Sequence, residues 1–246
     1  MTSPLDDYNR KRNFDRTAEP PGTAAPRDDG AAGGRNGRLR FAVQHHLASR
    51  DHYDLRLEWN GTLLSWAVPK GPSYNPRDKR LAVRVEDHPL DYRTFEGTIP
   101  QGEYGGGTVM LWDEGWWEPL LDVERGLREG DLKFVLHGHR LKGAWVLVHM
   151  KPKKGERDVN WLLIKEKDDY VRADAGIDGF DTSVRTGRTM DEIARGEDEA
   201  FAANPFDHVD VELAKLVSTA PPGDDWLFEV KYDGYRIVAY VEGGRA

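Results

Sequence analysis

Tyr53-Asp54-Leu55-Arg56-Leu57-Glu58-Trp59, then Asn60-Gly61, then Thr62-Leu63-Leu64-Ser65-Trp66-Ala67-Val68 is the stretch whose reading decides the fold. Apolar residues at 53, 55, 57 and 59 alternate with charged ones at 54, 56 and 58, which is the period of a half-buried strand. Asn-Gly adopts the positive φ angles of a type I′ turn, so the two runs form a hairpin. Pro69 and Gly71-Pro72 end the return strand. Outward from the hairpin, strands are expected at 41–45, 81–86, 108–112, 133–137, 144–150 and 161–166, with turns at 113–115, 138, 142–143 and 151–157. A short helix is expected at 123–129. Eight short strands with few short helices predict a mainly β fold, an antiparallel barrel or sandwich. Most of the indoles, Trp59, Trp66, Trp112, Trp116, Trp117, Trp145 and Trp161, fit the strand pattern as core. One or two of them stacking a nucleobase is the alternative.

Composition narrows the function. The chain has 246 residues, 38% hydrophobic and 32% charged, and no apolar run approaches the ~20 residues of a membrane helix. Its first twelve residues carry charge and no apolar stretch, so a secretory signal is not expected and the cytoplasm is. Cysteine is absent, which excludes disulfides, zinc ribbons and thiol nucleophiles and leaves His and carboxylates as metal ligands. The net charge of −8 argues at first against a polyanionic substrate. Residues 174–212, however, hold 11 acids and 3 bases, so the rest balances at 32 of each.

The organisation reads as five segments. Residues 1–19 form a basic arm with Tyr8, Phe14, Arg10, Lys11, Arg12 and Arg16, either docked or frayed. Residues 20–37, rich in Pro, Gly and Ala, read as a flexible linker. Residues 38–172 hold the strands. Residues 173–204 read as an acidic interdomain linker with one helix, started by the capping box Thr189-Met-Asp-Glu192. Residues 205–246 open a new element too short to fold alone.

The chemistry concentrates in Gln44-His-His-Leu-Ala-Ser-Arg-Asp-His-Tyr-Asp-Leu-Arg56. Period-two geometry sets His52, Asp54 and Arg56 on one strand face. His46, from a neighbouring strand or loop end, could complete a two-imidazole, one-carboxylate site for Mn, Fe or Zn, beside a guanidinium suited to an anion. The alternative is a polar sheet face without metal. His45 points away and reads as structural. Lys70, Arg80 and His88 gather at strand ends nearby, and cations converging on a metal suit a phosphate ester. Gly102 to Gly107 matches no phosphate-loop spacing and reads as a turn.

Several strings together resemble the 3′-phosphoesterase module of bacterial ATP-dependent DNA ligase D of nonhomologous end joining. They are Tyr8-Asn-Arg-Lys-Arg-Asn-Phe14, Phe41-Ala-Val-Gln44 through His52-Tyr-Asp-Leu-Arg-Leu-Glu58, Ser65-Trp-Ala-Val-Pro-Lys-Gly-Pro-Ser73 and Arg80-Leu-Ala-Val. Val85-Glu-Asp-His-Pro-Leu-Asp-Tyr92, Phe95-Glu-Gly-Thr-Ile-Pro-Gln-Gly-Glu-Tyr-Gly105, Leu141-Lys-Gly-Ala-Trp-Val-Leu-Val-His-Met150 and Trp161-Leu-Leu-Ile-Lys-Glu-Lys167 continue the match. The resemblance covers about residues 8–172. It implies a compact β-barrel and a Mn²⁺-dependent nuclease and phosphatase that removes 3′-terminal ribonucleosides and 3′-phosphates from DNA, leaving a 3′-OH. Another divalent transition metal would fit the same ligands.

By that resemblance the metal ligands are His46, His52 and Asp54. The phosphate contacts are Arg56, Lys70, Arg80 and His88, with Arg12 reaching in from the arm, and Glu19 and Tyr92 match positions linked to activity. Implied partners are DNA 3′ ends at primer–template junctions and ligase, polymerase and Ku end-joining proteins, nucleoid-associated in a bacterial cytoplasm and with no membrane. The family arm reads Arg-Asp-Phe where this chain has Arg12-Asn13-Phe14, with Asp15 two residues on.

Near the C-terminus, Glu229-Val-Lys-Tyr-Asp-Gly-Tyr-Arg236 resembles the lysine motif of nucleotide-dependent DNA ligases, with Lys231 as the lysine that takes AMP from ATP. Only 15 residues follow it, so this chain is not expected to ligate alone, and ATP matters only if the rest of a ligase domain is supplied. Two readings compete with a phosphoesterase: a non-catalytic DNA-end-binding module that recruits a ligase, and a 2-His-1-carboxylate iron oxygenase.

Overall fold

The computed structural model describes residues 3–23, 38–152, 155 and 159–196. Contacts divide the chain into Met1–Asp207 and His208–Ala246. The second unit, with Lys231, lies outside the described residues, as do residues 24–37 of the expected linker.

Among the described residues, ten strands follow a short helix α1 (Asp6–Arg10): β1 (Leu39–Leu47), β2 (Asp51–Trp59), β3 (Thr62–Val68), β4 (Arg80–Arg84), β5 (His88–Pro89), β6 (Gly97–Ile99), β7 (Gly107–Pro119), β8 (Asp131–Gly138), β9 (Lys142–His149) and β10 (Asn160–Lys165). Helix α2 (Val123–Glu129) lies between β7 and β8, and α3 (Met190–Ala194) follows β10. The order β1-β2-β3-β4-β10-β9-β8-β7 is closed by β7 pairing with β1, which makes an eight-stranded antiparallel barrel. Closure leaves this barrel no free edge. The β2–β3 turn has φ of 48° at Asn60 and 80° at Gly61, the left-handed pair that Asn-Gly supplies.

Inward-facing side chains fill the barrel, among them Phe41, Val43, Leu55, Leu57, Trp66, Trp112, Trp117, Trp145 and Trp161. Burial at ~25 cal/mol per Å² makes these indoles the largest contributors to the core. Most of the indoles are thus core.

Three expectations change. The expected turn at 113–115 is strand: β7 runs 13 residues, and its pairing with β1 passes over Trp112, since Val43 faces Asp113 and Gln44 faces Leu111, a bulge that bends β7. Gly115 permits this, because a Cβ there would stand 2.2 Å from the His137 carbonyl oxygen. The strand expected to be half-buried is buried on both faces, with Asp54 6% and Arg56 2% exposed. A second apolar cluster, Leu5, Tyr8, Leu63 and Tyr92, covers the outer face of β2 and β3.

The third change concerns the acidic segment. Its described part, residues 173–196, packs on the barrel instead of leaving it. Val184 N–H donates to the Leu111 carbonyl (3.0 Å), Trp112 Nε1 to the Phe180 carbonyl (2.9 Å), and Arg188 pairs with the buried Glu96 (2.8 Å). Its few arginines and its backbone groups find partners that a net-charge tally does not register. The Thr189/Glu192 capping box forms and starts α3, whose Ile193 enters the core.

Asp113 ties the β8–β9 hairpin to β7: it is fully buried and accepts from the Arg140 (2.9 Å) and Leu141 (2.7 Å) backbone N–H groups. Burial, only partly offset by those donors, raises its carboxyl to about 6. The unfolded value is ~3.9, so the stability contributed by protonation is full below pH ~4 and is lost as pH rises through about 6. Urea unfolding of wild type and Asp113→Asn at pH 4 and pH 7 is expected to show the wild type's relative stability falling by about 2 kcal/mol across that range.

Candidate active site

The antiparallel register of β1 and β2 pairs His46 with His52 and Gln44 with Asp54. Period two therefore turns Gln44, His46, His52, Asp54 and Arg56 to the barrel's outer face, beside Ser65 of β3. His45, on the opposite face, stacks on Tyr53 (4.4 Å) and meets Asp51 (2.6 Å), as expected for a structural histidine.

One ligand atom from each of His46, His52 and Asp54 lies within 4.8 Å of the others. Asp54 sits between the imidazoles, 3.8 Å from His46 Nδ1 and 3.7 Å from His52 Nε2. His52 Nδ1 donates to the Arg50 carbonyl (2.8 Å), which leaves Nε2 its lone pair toward Asp54. His46 Nε2 is buried without a hydrogen-bond partner, a situation uncommon for buried polar atoms. Burial opposes ionisation of Asp54, but Arg56, then His46 and His52, outweigh it and hold the carboxyl at about 2. An ionised carboxylate, an imidazole lone pair and an uncompensated buried nitrogen fit a divalent transition-metal ion.

Arg56 is braced on three sides: Nε to Gln44 (2.6 Å), Nη1 to Ser65 (3.0 Å) and Nη2 to Asp54 (3.0 Å), over the Tyr92 ring. Gln44 holds the other side of the wall by donating Nε2 to the Tyr92 and Phe95 carbonyls. Sequence reasoning passed over Gln44 and Ser65. Counting by two from His46 would have found the first, whereas the second depends on the β2–β3 register.

The arm closes the site. Tyr8 is fully buried and bonds the Pro20 carbonyl, so residues 20–22 belong to the docked arm and not to a linker. Arg12 pairs with Glu19 (2.8 Å) and Glu86 (3.2 Å) and lies 3.2 Å from His88 Nε2. His88 Nδ1 donates to the Glu86 carbonyl (2.9 Å), so its Nε2 accepts from Arg12. Burial, then the Arg56 and Arg12 charges, push the His88 imidazole well below its usual range and keep it neutral. Glu86 and Tyr104, the latter holding Lys11 and lying under Arg12, were also missed, since only the docked arm brings them in.

These groups line one recess of about 290 Å³, which includes Arg12, Glu19, His46, His52, Asp54, Arg56, Glu86, His88 and Tyr92. Lys70 and Arg80 do not line it. They sit at the far end of β3 and β4, in a recess of their own with Arg77 and Lys79. Among the described residues, no indole lines either recess. Asn13 is exposed and its Oδ1 caps a turn by accepting from Asp15 N–H, which an aspartate would do equally. Asp15 is likewise exposed.

A family profile described as "DNA Ligase D 3′-phosphoesterase domain" matches residues 44–149, the stretch that carries His46, His52, Asp54, Arg56, Lys70, Arg80, His88 and Tyr92. The barrel belongs to this family. The "Multifunctional non-homologous end joining protein LigD" of Pseudomonas aeruginosa is 45% identical over 99% of this chain and 30% of its own length. The corresponding LigD proteins of Mycobacterium tuberculosis and Mycolicibacterium smegmatis are 35% and 33% identical over 96% and 98% of the chain, and 26% and 27% of their own lengths. The chain thus spans less than a third of these ligase D relatives. Among the described residues, no helix is long and apolar enough to cross a membrane.

Proposed function

We propose that this chain is a metal-dependent phosphoesterase that trims DNA 3′ ends, removing terminal ribonucleosides and 3′-phosphates to leave a ligatable 3′-OH for bacterial end joining. The observation that carries it is the His46, His52 and Asp54 cluster set beside Arg56 in one buried recess of a ligase D phosphoesterase barrel. A divalent ion held there, Mn²⁺ in our reading, supplies Lewis acidity and lowers the pKa of water at the site.

The chain's own groups do the positioning. Arg56 spends three of its five N–H bonds on Gln44, Ser65 and Asp54 and keeps two for phosphoryl oxygens. Arg12, held by Glu19 and Glu86, turns its guanidinium edge into the same recess. Neutral His88 orients Arg12 by accepting at Nε2, and its single proton, on Nδ1, is held by the Glu86 carbonyl. Tyr92 floors the recess beneath Arg56. DNA 3′ ends at primer–template junctions are the substrate in this reading, with ligase, polymerase and Ku proteins as partners in the bacterial cytoplasm.

The competing end-binding reading takes the basic arm as a DNA contact without turnover and draws support from the Asn13 departure; Asn13 stands on the surface in a turn that asparagine caps as well as aspartate. The oxygenase reading has no support in the family matched. A 5′-labelled primer ending in one ribonucleotide or a 3′-phosphate, followed over time with Mn²⁺, Zn²⁺ or chelator, tests the proposal. Conversion to a 3′-OH product only with metal is expected. DNA binding with no 3′-end change under any metal would overturn it.

A further inference from the structure

The recess around His46, His52 and Asp54 is lined by two cations, Arg12 and Arg56, and three carboxylates, Glu19, Asp54 and Glu86. Its formal charge is −1, and a dication raises it only to +1. Both arginines are already committed to carboxylates. Such a site can grip one phosphoryl group but has little to offer the rest of a DNA strand.

A second group of cations lies elsewhere. Lys70, Arg77, Lys79 and Arg80, with Asp78 as the one opposing carboxylate among the described residues, line an open recess of about 410 Å³. Its formal charge is +3 in a chain whose net charge is −8. Lys70, Arg77 and Lys79 are exposed, and among the described residues they form no ion pair. Arg80 pairs with Asp78 (3.1 Å), yet its Nε is buried with no hydrogen-bond partner. Four side chains kept close against mutual repulsion, one with an unsatisfied N–H, suit an anion more than they suit water.

Position names the anion. Ala67 and Val85 line the candidate active site; on β4, Arg80 lies three residues from Val83, the partner of Ala67, and five from Val85, and Lys70 stands in the turn that follows β3. At ~3.3 Å per residue the two recesses are roughly 10–16 Å apart. DNA advances ~3.4 Å per nucleotide along its axis, so this separation is roughly three to five nucleotides. We propose that Lys70, Arg77, Lys79 and Arg80 form a second phosphate seat, which holds the DNA backbone several nucleotides from the reacting 3′ end. This inference rests on the proposal that DNA is the substrate, and it moves Lys70 and Arg80 from the scissile phosphate to a distal one.

The test reads binding alone, with the full chain. The affinity of a fluorescent primer–template duplex ending in 3′-OH is measured by anisotropy in chelator from 50 to 300 mM salt. Arg77→Gln/Lys79→Gln is expected to weaken binding roughly tenfold at 0.1 M salt and to reduce the slope of log affinity against log salt by about 2. Arg77→Lys/Lys79→Arg, which keeps the charges, is expected to restore both. An unchanged slope in the glutamine variant, or failure of the charge-retaining variant to restore it, overturns the proposal. No turnover is involved, so failure of the phosphoesterase reading would show separately, as an inert 3′ end on DNA that still binds with the full salt slope.

Discussion

Asp54→Asn is expected to lower turnover of a 3′-phosphorylated primer about 10³-fold or more and to weaken divalent-ion binding at least tenfold. Asp54 is the charged member of the cluster, set between His46 and His52, and it also neutralises Arg56. The amide removes the anionic ligand and leaves Arg56 buried at 2% exposure without its carboxylate. Breaking such a pair costs about 3–5 kcal/mol, although Gln44 and Ser65 still hold the guanidinium. Because the folded carboxyl stands at about 2, below the unfolded ~3.9, the pair's stability is complete above pH ~4 and is lost as pH falls through about 2. Calorimetric Mn²⁺ titration with urea unfolding at neutral pH separates the two losses. Turnover near the wild-type level in the variant would remove Asp54 from the metal site.

Arg12→Ala is expected to release the arm as well as to lower turnover by about 100-fold. The guanidinium alone bridges Glu19, Glu86 and His88, and the two carboxylate side chains it joins are 1% and 4% exposed. Its removal leaves two buried carboxylates with reduced compensation, Glu86 keeping the Lys11 pair (2.9 Å) and a backbone hydrogen bond. Hydrogen exchange should rise across residues 5–22, where Leu5, Tyr8 and Asn9 anchor the arm. Arg12→Lys is not expected to rescue, since a point charge cannot satisfy three partners that a planar fork meets at once. Loss of turnover with unchanged exchange at Tyr8 would make Arg12 a substrate contact only and would sink its role as the latch.

Much of the barrel was legible because its signals are local. Alternation in 53–59, the Asn60-Gly61 turn and the Thr189/Glu192 capping box each depend on neighbours a few residues apart, and each appears in the structure. The His46, His52 and Asp54 cluster was legible for the same reason: one strand and one hairpin partner carry all three. The turn expected at 113–115 failed because Gly115 serves close approach to β8 within a bent strand, and a glycine looks the same in both settings.

By itself the sequence determined the eight barrel strands, the hairpin register and the residues able to hold a metal, but not the short β5 and β6. Tertiary structure alone decided what covers them. The arm turns a polar sheet face into a buried site, residues 173–196 pack where net charge predicted separation, and the cations expected around one phosphate divide between two recesses. The physical reason is range: periodicity and turn chemistry act over a few residues. Burial, ion pairing and formal charge at a site depend on groups brought together from distant parts of the chain, as Arg12 and Glu86 are.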